Sequence, residues 1–311
     1  MPEKLPTILV VGSINMDLVL RTKRVPRAGE TFYGQDYQHI PGGKGANQAL
    51  ACARLGAQVS FVGRVGRDAH GTKLRDGLFG EGVKTSYLTE DPQTQTGLAV
   101  IMVEEDGQNR ILAFAGANRN VREEDVNSAF TTGCDAVLLN LEIPRAIAKT
   151  TCRIGRERGI PVFLDAGPAE EGALEGIRDL EVLSPNENET HALTGIGVRS
   201  PEDAEEAAAV LYKICPSRFI VIKMGVQGAL LFYDGKGEHF PAPGVKAVDS
   251  TAAGDAFTAA LTVFYLTHGD IREAVSFANL AGALSVTRLG AQPSLPTARE
   301  VAEFARSLST V

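Results

Sequence analysis

Short runs of β-branched and aliphatic residues recur along the chain and end in polar residues or glycine: "TILVVGS" (7–13), "AVLLNLE" (136–142), "IPVFLDAG" (160–167) and "RFIVIKMG" (218–225). They are apolar at nearly every position instead of every second one, which predicts strands buried on both faces, as in a mostly parallel sheet. Between them apolar residues fall at helical spacing, and the pattern predicts helices over 44–56, 69–82, 144–158, 201–214, 254–267 and 270–287. In the first, Ala46, Ala49, Leu50 and Ala53 share a face and Gly56 ends the helix. Strands alternating with helices predict the α/β class, a mostly parallel sheet flanked by helices.

Two regions break this rhythm. Residues 18–41 contain "LVLRT", "TFYG" and "YQHI", and residues 97–115 read as a hairpin whose "EEDGQNR" centre carries an Asp106–Gly107 turn signal. Together they predict a small separate sheet. A chain of 311 residues buries a large core as one domain with an appendage, and no repeat or low-complexity tract divides it.

Composition narrows the function classes. Hydrophobic residues at 44% and charged residues at 22% are those of a soluble globular protein, and no apolar run approaches a membrane span. A formal charge of −7 argues against a nucleic-acid partner, which needs a basic face to displace counterions. Cys52, Cys134, Cys152 and Cys215 lack C-x-x-C spacing and the five histidines show no zinc pattern, so reduced thiols are expected. The opening "MPEKLPTILVVGS" has too short an apolar run for a signal peptide and is not the Arg-rich, acid-poor start of a transit peptide, so a cytoplasmic location is expected.

The chemistry lies in the glycine-rich stretches. In "AVDSTAAGDAFTAAL" (247–261) side-chain bulk is cleared between Asp249 and Asp255 just before a helix. Unobstructed N–H groups at such a turn attract anions; the plainer alternative makes Asp255 a helix-favouring first-turn acid. "PGGKGANQAL" (41–50) also opens a helix but is no Walker motif, because Gly45 and not Ser or Thr follows Lys44. In "VGSINMDLV", Asn15 and Asp17 alternate on one face directly after the first strand, where open α/β sheets bind ligands, and the phrase lacks the dinucleotide fingerprint. "LLNLEIP" brings Glu142 to another strand end, and "LSPNENET" puts Asn186 and Glu189 at a helix start. Each has a reading as a cap or loop satisfier. Asn15, Asp17, Glu142, Asn186, Asp249 and Asp255 are expected together at one sheet edge.

The ordered set "GSINMD", "GGKGANQA", "VGRVGRDAHG", "AGAN", "NLEIP", "PNENE", "DSTAAGDAF" and "VTRLGAQPS" resembles the ribokinase family of sugar and nucleoside kinases nearly end to end. The resemblance implies a doubly wound ribokinase-like core (1–14, 44–95 and 121–311) with a β-sheet lid (15–43 and 96–120). It implies ATP-dependent phosphorylation of the 5-hydroxyl of D-ribose, with Asp255 as base and Ala252, Ala253 and Gly254 as a backbone anion hole. Asn15, Asp17, Gly43, Lys44, Asn47 and Glu142 would bind the sugar. Asn186 and Glu189 would position the nucleotide phosphates and Mg²⁺, with Lys223, Gly225, Gly228 and Asn279 lining the ATP pocket. An activating K⁺ would sit among Asp249, Ser294 and carbonyls of Thr251, Ser285, Arg288 and Gly290, and two subunits would clasp through their lids as a homodimer. Lys223 departs from a position that is often threonine, and Met224 replaces a usual leucine. Other kinases of the family, for deoxyribose, fructose, sugar acids or nucleosides, are the alternatives. Outside it stand a non-catalytic sugar-binding protein, which could dispense with Asp255, and a dinucleotide-dependent oxidoreductase.

Overall fold

A computed structural model describes residues 5–106 and 108–308. The chain opens with β1 (Thr7–Val11), β2 (Asn15–Arg21), β3 (Asp36–Gly42), α1 (Lys44–Arg54), β4 (Gln58–Gly66), α2 (Ala69–Gly80), β5 (Lys84–Asp91), β6 (Gly97–Val103) and β7 (Asn109–Phe114). The middle supplies α3 (Glu123–Ala129), β8 (Ala136–Asn140), α4 (Arg145–Glu157), β9 (Val162–Asp165), β10 (Leu180–Ser184), α5 (Glu187–Thr194) and α6 (Pro201–Ile214). It closes with β11 (Ser217–Lys223), β12 (Ala229–Tyr233), β13 (Lys236–Phe240), α7 (Ala253–His268), α8 (Ile271–Ser285), α9 (Ala291–Ser294) and α10 (Ala298–Leu308).

The larger sheet runs β13-β12-β11-β10-β9-β8-β1-β4-β5. Its strands pair in parallel except around β12, which is antiparallel to both β11 and β13. From β1 the chain steps to β4 and β5 on one side and later returns to β8 on the other. That reversal opens a crevice beyond the carboxyl ends of β1 and β8, where Ser13 and Glu142 follow the strands. The continuous apolar runs are explained by burial on both faces: Ile8 and Val10 of β1 pack with α1, α7 and α8, while Leu9 and Val11 pack with α3, α4 and α6.

The expected small sheet forms as β3-β2-β6-β7. β2 and β6 pair in parallel, and the outer pairs are antiparallel. "TFYG" takes no part in it. Tyr33 is 91% exposed and Phe32 is covered by the Arg24 guanidinium instead of by a neighbouring strand, and β3 starts only at Asp36. Gly107 of the expected Asp106–Gly107 turn lies outside the described residues. The six expected helices end within two residues of their bounds. Helices α3, α9 and α10 go beyond the expectation; α3 and α9 are too short to show a period, and α10 buries only Val301.

The helix that bounds the crevice depends on two glycines. Gly43 enters α1 at φ +90, a left-handed conformation that a Cβ resists. A Cβ on Gly45 would lie 2.7 Å from backbone atoms of Gly12 and Ser13, so α1 sits directly on the end of β1. Gly45→Ala is therefore expected to destabilise by about 1–3 kcal/mol through overpacking. Gly77→Ala, on the exposed face of α2 with no heavy atom within 4 Å of the added carbon, should stabilise by about 0.5–1 kcal/mol. Urea unfolding of both variants checks the pair; equal effects of either sign would refute the packing account.

Candidate active site

At the mouth of the crevice, the chain leaves β1 through Ser13, whose hydroxyl donates to Glu142, and the Lys44 amide donates to the same carboxylate at 3.2 Å. Asn118 fixes the turn. Its side chain donates to Ile14 O and Asn15 Oδ1 and accepts from the Ile14 amide. Asn15 and Asp17 do alternate on one face, but they begin β2 of the small sheet and are not loop residues after β1. The strand resumes at once because Asn15 pairs with both Gly42 and Gly97. Ser13, Asn15, Asn118 and Glu142 line a cavity of about 730 Å³ that Phe114 and Arg119 also border. Burial, with Glu142 and then Asp255 nearby, pushes the Asp17 carboxyl up to about 7.

The cleared loop leads into α7. Ala252, the residue before it, holds φ +62, unusual for a residue with a Cβ, and no side chain caps the first turn. The Ala253 amide turns back to Ser250 O at 3.3 Å, while the uncapped Gly254 amide lies at the positive end of the helix. Asp255 is buried beneath them, accepting from Asn47 Nδ2 at 2.9 Å and Gln48 Nε2 at 3.1 Å, with Lys44 Nζ at 3.9 Å. Burial raises its carboxyl to about 6, which Lys44 opposes and Asp165 assists. Asn47 Oδ1 is buried with no hydrogen-bond partner, an acceptor turned toward nothing in the protein.

The sequence reading missed Asp165. This wholly buried carboxylate ends β9, with Lys223 Nζ at 3.1 Å and Gln48 Nε2 at 3.0 Å from Oδ2, and Lys44 Nζ at 3.6 Å from Oδ1. Burial alone would push it up, but Lys223 and Lys44 outweigh burial and hold it below the usual carboxylate value. Burial likewise works against the Lys44 ammonium, yet Asp165, Asp255, Glu189 and Glu142 together hold it well above the usual lysine value. The signal was present: "IPVFLDAG" ends an apolar run in an acid, which strand packing alone does not ask for. Gln48, Ser13, Asn118 and Thr258 were missed too, and carry no such mark.

On the far side of Gly254 lies a second cavity, of about 300 Å³, walled by Lys223, Gly225, Gly228, Gly254, Phe257 and Asn279 with aliphatic neighbours. Asn186 caps α5 and Glu189 returns the bond, a reciprocal box that bears out the cap reading. Glu189 also faces Lys44 Nζ at 3.8 Å. Asp249 does not join the others at the sheet edge. Its carboxylate accepts from Thr251 and from the Gly290 amide, in the turn that holds Arg288 between the end of α8 at Ser285 and α9, which ends at Ser294. Ser285 and Ser294 hydroxyls stand 3.0 Å apart, and the Arg288 side chain points away to Glu300.

A family model described as pfkB family carbohydrate kinase matches residues 5–298. The chain belongs to the pfkB family of carbohydrate kinases. The carbohydrate kinase is 39% identical to the ribokinase of Bacillus subtilis over 96% of this chain and 98% of that one. It is 34% identical to the deoxyribokinase of Salmonella typhi, over 96% and 98%. The ribokinase of Arabidopsis thaliana, solved in complex with ribose and ATP, superposes with TM-score 0.88 at 35% identity over 97% and 99% of the two chains.

In this kinase a buried Asp255 titrating near 6 has consequences that a first-turn helix acid lacks. A carboxyl raised from 3.8 to about 6 contributes stability present below 3.8 and lost as pH rises through about 6. Asp255→Asn is therefore expected to raise the melting temperature at pH 8 and to leave it unchanged near pH 4. An acid serving only the helix dipole would instead lose about 0.3–1 kcal/mol on the same change. Thermal scans of both proteins at the two pH values decide; a lower melting temperature of the variant at pH 8 refutes the buried-charge account.

Proposed function

We propose that the protein transfers the γ-phosphoryl group of ATP to the 5-hydroxyl of D-ribose. One observation carries this: a buried carboxylate, Asp255, beneath an uncapped helix start whose Gly254 walls one cavity, while Lys44 links it to the Glu142 of the other. The sugar would occupy the crevice of Asn15, Asp17, Gly43, Lys44, Asn47 and Glu142, and the unpartnered Asn47 Oδ1 suits a hydroxyl donor. The nucleotide would lie along Lys223, Gly225, Gly228 and Asn279, its phosphates toward Asn186 and Glu189.

Phosphoryl transfer asks for positioning and charge stabilisation more than for a strong base. Asp255 accepts the hydrogen bond of the 5-hydroxyl and, as the O5–P bond forms and the bond to the β-phosphate oxygen breaks, takes the proton. The N–H groups at Ala252, Ala253 and Gly254 face the charge on the transferring group. The small sheet acts as a lid over residues 15–43 and 96–120, excluding water that would compete as acceptor. Its edge strand β7 exposes Ile111, Leu112 and Phe114 by half or more, which supports pairing of two lids in a homodimer.

The donor sets suit the two cations the family implies. Among the described residues no three acidic, His or Cys groups cluster to hold a metal, and Mg²⁺ commonly arrives on nucleotide phosphates with its water shell; Glu189 is the carboxylate to meet it. The K⁺ set offers one carboxylate, Asp249, with Ser294 and neutral carbonyls of Thr251, Ser285, Arg288 and Gly290, a charge balance that fits a monovalent ion. A bound K⁺ would supply a fixed charge beside the loop that leads into α7.

A 2-deoxy sugar is the second reading, favoured by the Salmonella typhi relative. Sites that hydrogen-bond a hydroxyl discriminate strongly against substrates lacking it, so ribose should exceed 2-deoxyribose, fructose, sugar acids and nucleosides in kcat/KM. A coupled assay across that panel tests the assignment, which another preferred acceptor would replace. With the best acceptor, Asp255→Asn should lower kcat by roughly 100-fold or more with little change in sugar affinity. Activity should rise when K⁺ replaces Na⁺ at constant ionic strength and lose that response in Asp249→Ala; equal rates in both salts would remove the K⁺ site.

A further inference from the structure

Among the described residues the Lys223 ammonium has one carboxylate partner, Asp165. Lys223 ends β11, where its amide donates to Pro185 O at 2.9 Å beside the cap of α5. Its Nζ reaches Asp165 Oδ2 at 3.1 Å and Thr258 Oγ1 at 3.4 Å, and it is 7% exposed. Thr258 also donates to Gly254 O at 2.9 Å, so the ammonium lies under the first turn of α7. A Cβ on Gly254 would stand 3.8 Å from this Nζ, and both residues wall the second cavity.

Asp165 holds a second ammonium from the opposite side. Oδ1 faces Lys44 Nζ and accepts from the Gly167 amide, while Oδ2 takes Lys223, Gln48 and Thr258. Strands β9 and β11 and helices α1 and α7 thus meet on one carboxylate. Such a pair is poorly explained by stability. Desolvating two charges costs about as much as their attraction returns, and apolar replacements of buried pairs are often neutral or better. A carboxylate that fixes one cation on the sugar side of Asp255 and another on the nucleotide side does suit a reaction in which negative charge passes between them.

We propose that Lys223 is a catalytic cation that contacts the transferring phosphoryl group, and that Asp165 is the positioning residue that aims it and Lys44 at either flank of the helix start. The inference rests on the kinase reading above, though not on the identity of the sugar. It is tested with whichever acceptor the wild-type protein phosphorylates best, so a failed ribose assignment and a failed cation pair give different results. The variants are Lys223→Met, Asp165→Asn and the two combined, with kcat, KM for ATP and melting temperature measured on each.

Lys223→Met should lower kcat by roughly 100-fold, the size of losing one preorganised charge-stabilising donor, while KM for ATP moves only a few-fold. Asp165→Asn should lower kcat and melting temperature together, because it leaves Lys223 buried without its carboxylate. The double variant separates the roles. It removes both charges, so its melting temperature returns to the wild-type value or above, while kcat stays as low as in Lys223→Met. A double variant, or a folded Lys223→Met, with kcat within about threefold of wild type overturns the proposal and leaves the pair structural. Should Asp165→Asn not fold, the other two variants decide by the same measurements.

Discussion

One ammonium group organises the centre of this molecule. Lys44 Nζ stands within 4 Å of Asp165, Asp255 and Glu189, carboxylates borne by β9, α7 and α5. Without a cation there, three acids would face each other in a space largely closed to water, where like charges repel far more strongly than at the surface. The backbone must therefore bring Lys44 to one place. Gly43 at positive φ turns the chain into α1, and Gly45 lets that helix press against the end of β1. Main-chain conformation at two glycines thus fixes a charge on which three other elements rely.

The compensation is incomplete, and the incompleteness is functional. Asp255 remains raised to about 6 despite Lys44, because burial outweighs it, and burial with Glu142 and Asp255 nearby raises Asp17 to about 7. A fold selected for stability alone would replace one of them with an uncharged residue. Keeping Asp255 costs stability at neutral pH and leaves a carboxylate close to the operating pH, where a base is available without being strongly solvated. Ala252 at φ +62 adds a second local cost in the same loop. Strain and buried charge fall together at the start of α7, and both are held by packing on α1 and α8.

Much of the fold was legible because it rests on periodicity. Strands apolar at every position announced a parallel sheet, and six helices followed from spacing to within two residues. The small sheet was visible as a break in that rhythm. Its start was not visible in the pattern, which breaks only at residue 18, whereas pairing with Gly42 and Gly97 makes Asn15 the first residue of β2. Sequence shows which residues can extend; which neighbour they extend against is a long-range fact. The same limit explains Asp249, drawn toward Asp255 by a separation of six residues but turned by the Gly290 amide to another loop. Asp165 was missed for a related reason, since a lone acid at a strand end gains its meaning from Lys44, 121 positions earlier, and Lys223, 58 later.

Lys223 then becomes intelligible together with Asp165, a carboxylate remote from it in sequence. A lysine introduced alone under α7 would be a buried cation without a partner, and Asp165 alone would leave Lys44 to balance three acids. Together they neutralise each other: Gln48 bonds both Asp165 and Asp255, and Thr258 ties Lys223 to the turn that holds Gly254. Groups linked this closely do not act additively. Position 223 is therefore best understood with Asp165, Gln48 and Thr258 as one unit, whose net charge is zero and whose polarity runs from the sugar cavity toward the nucleotide cavity.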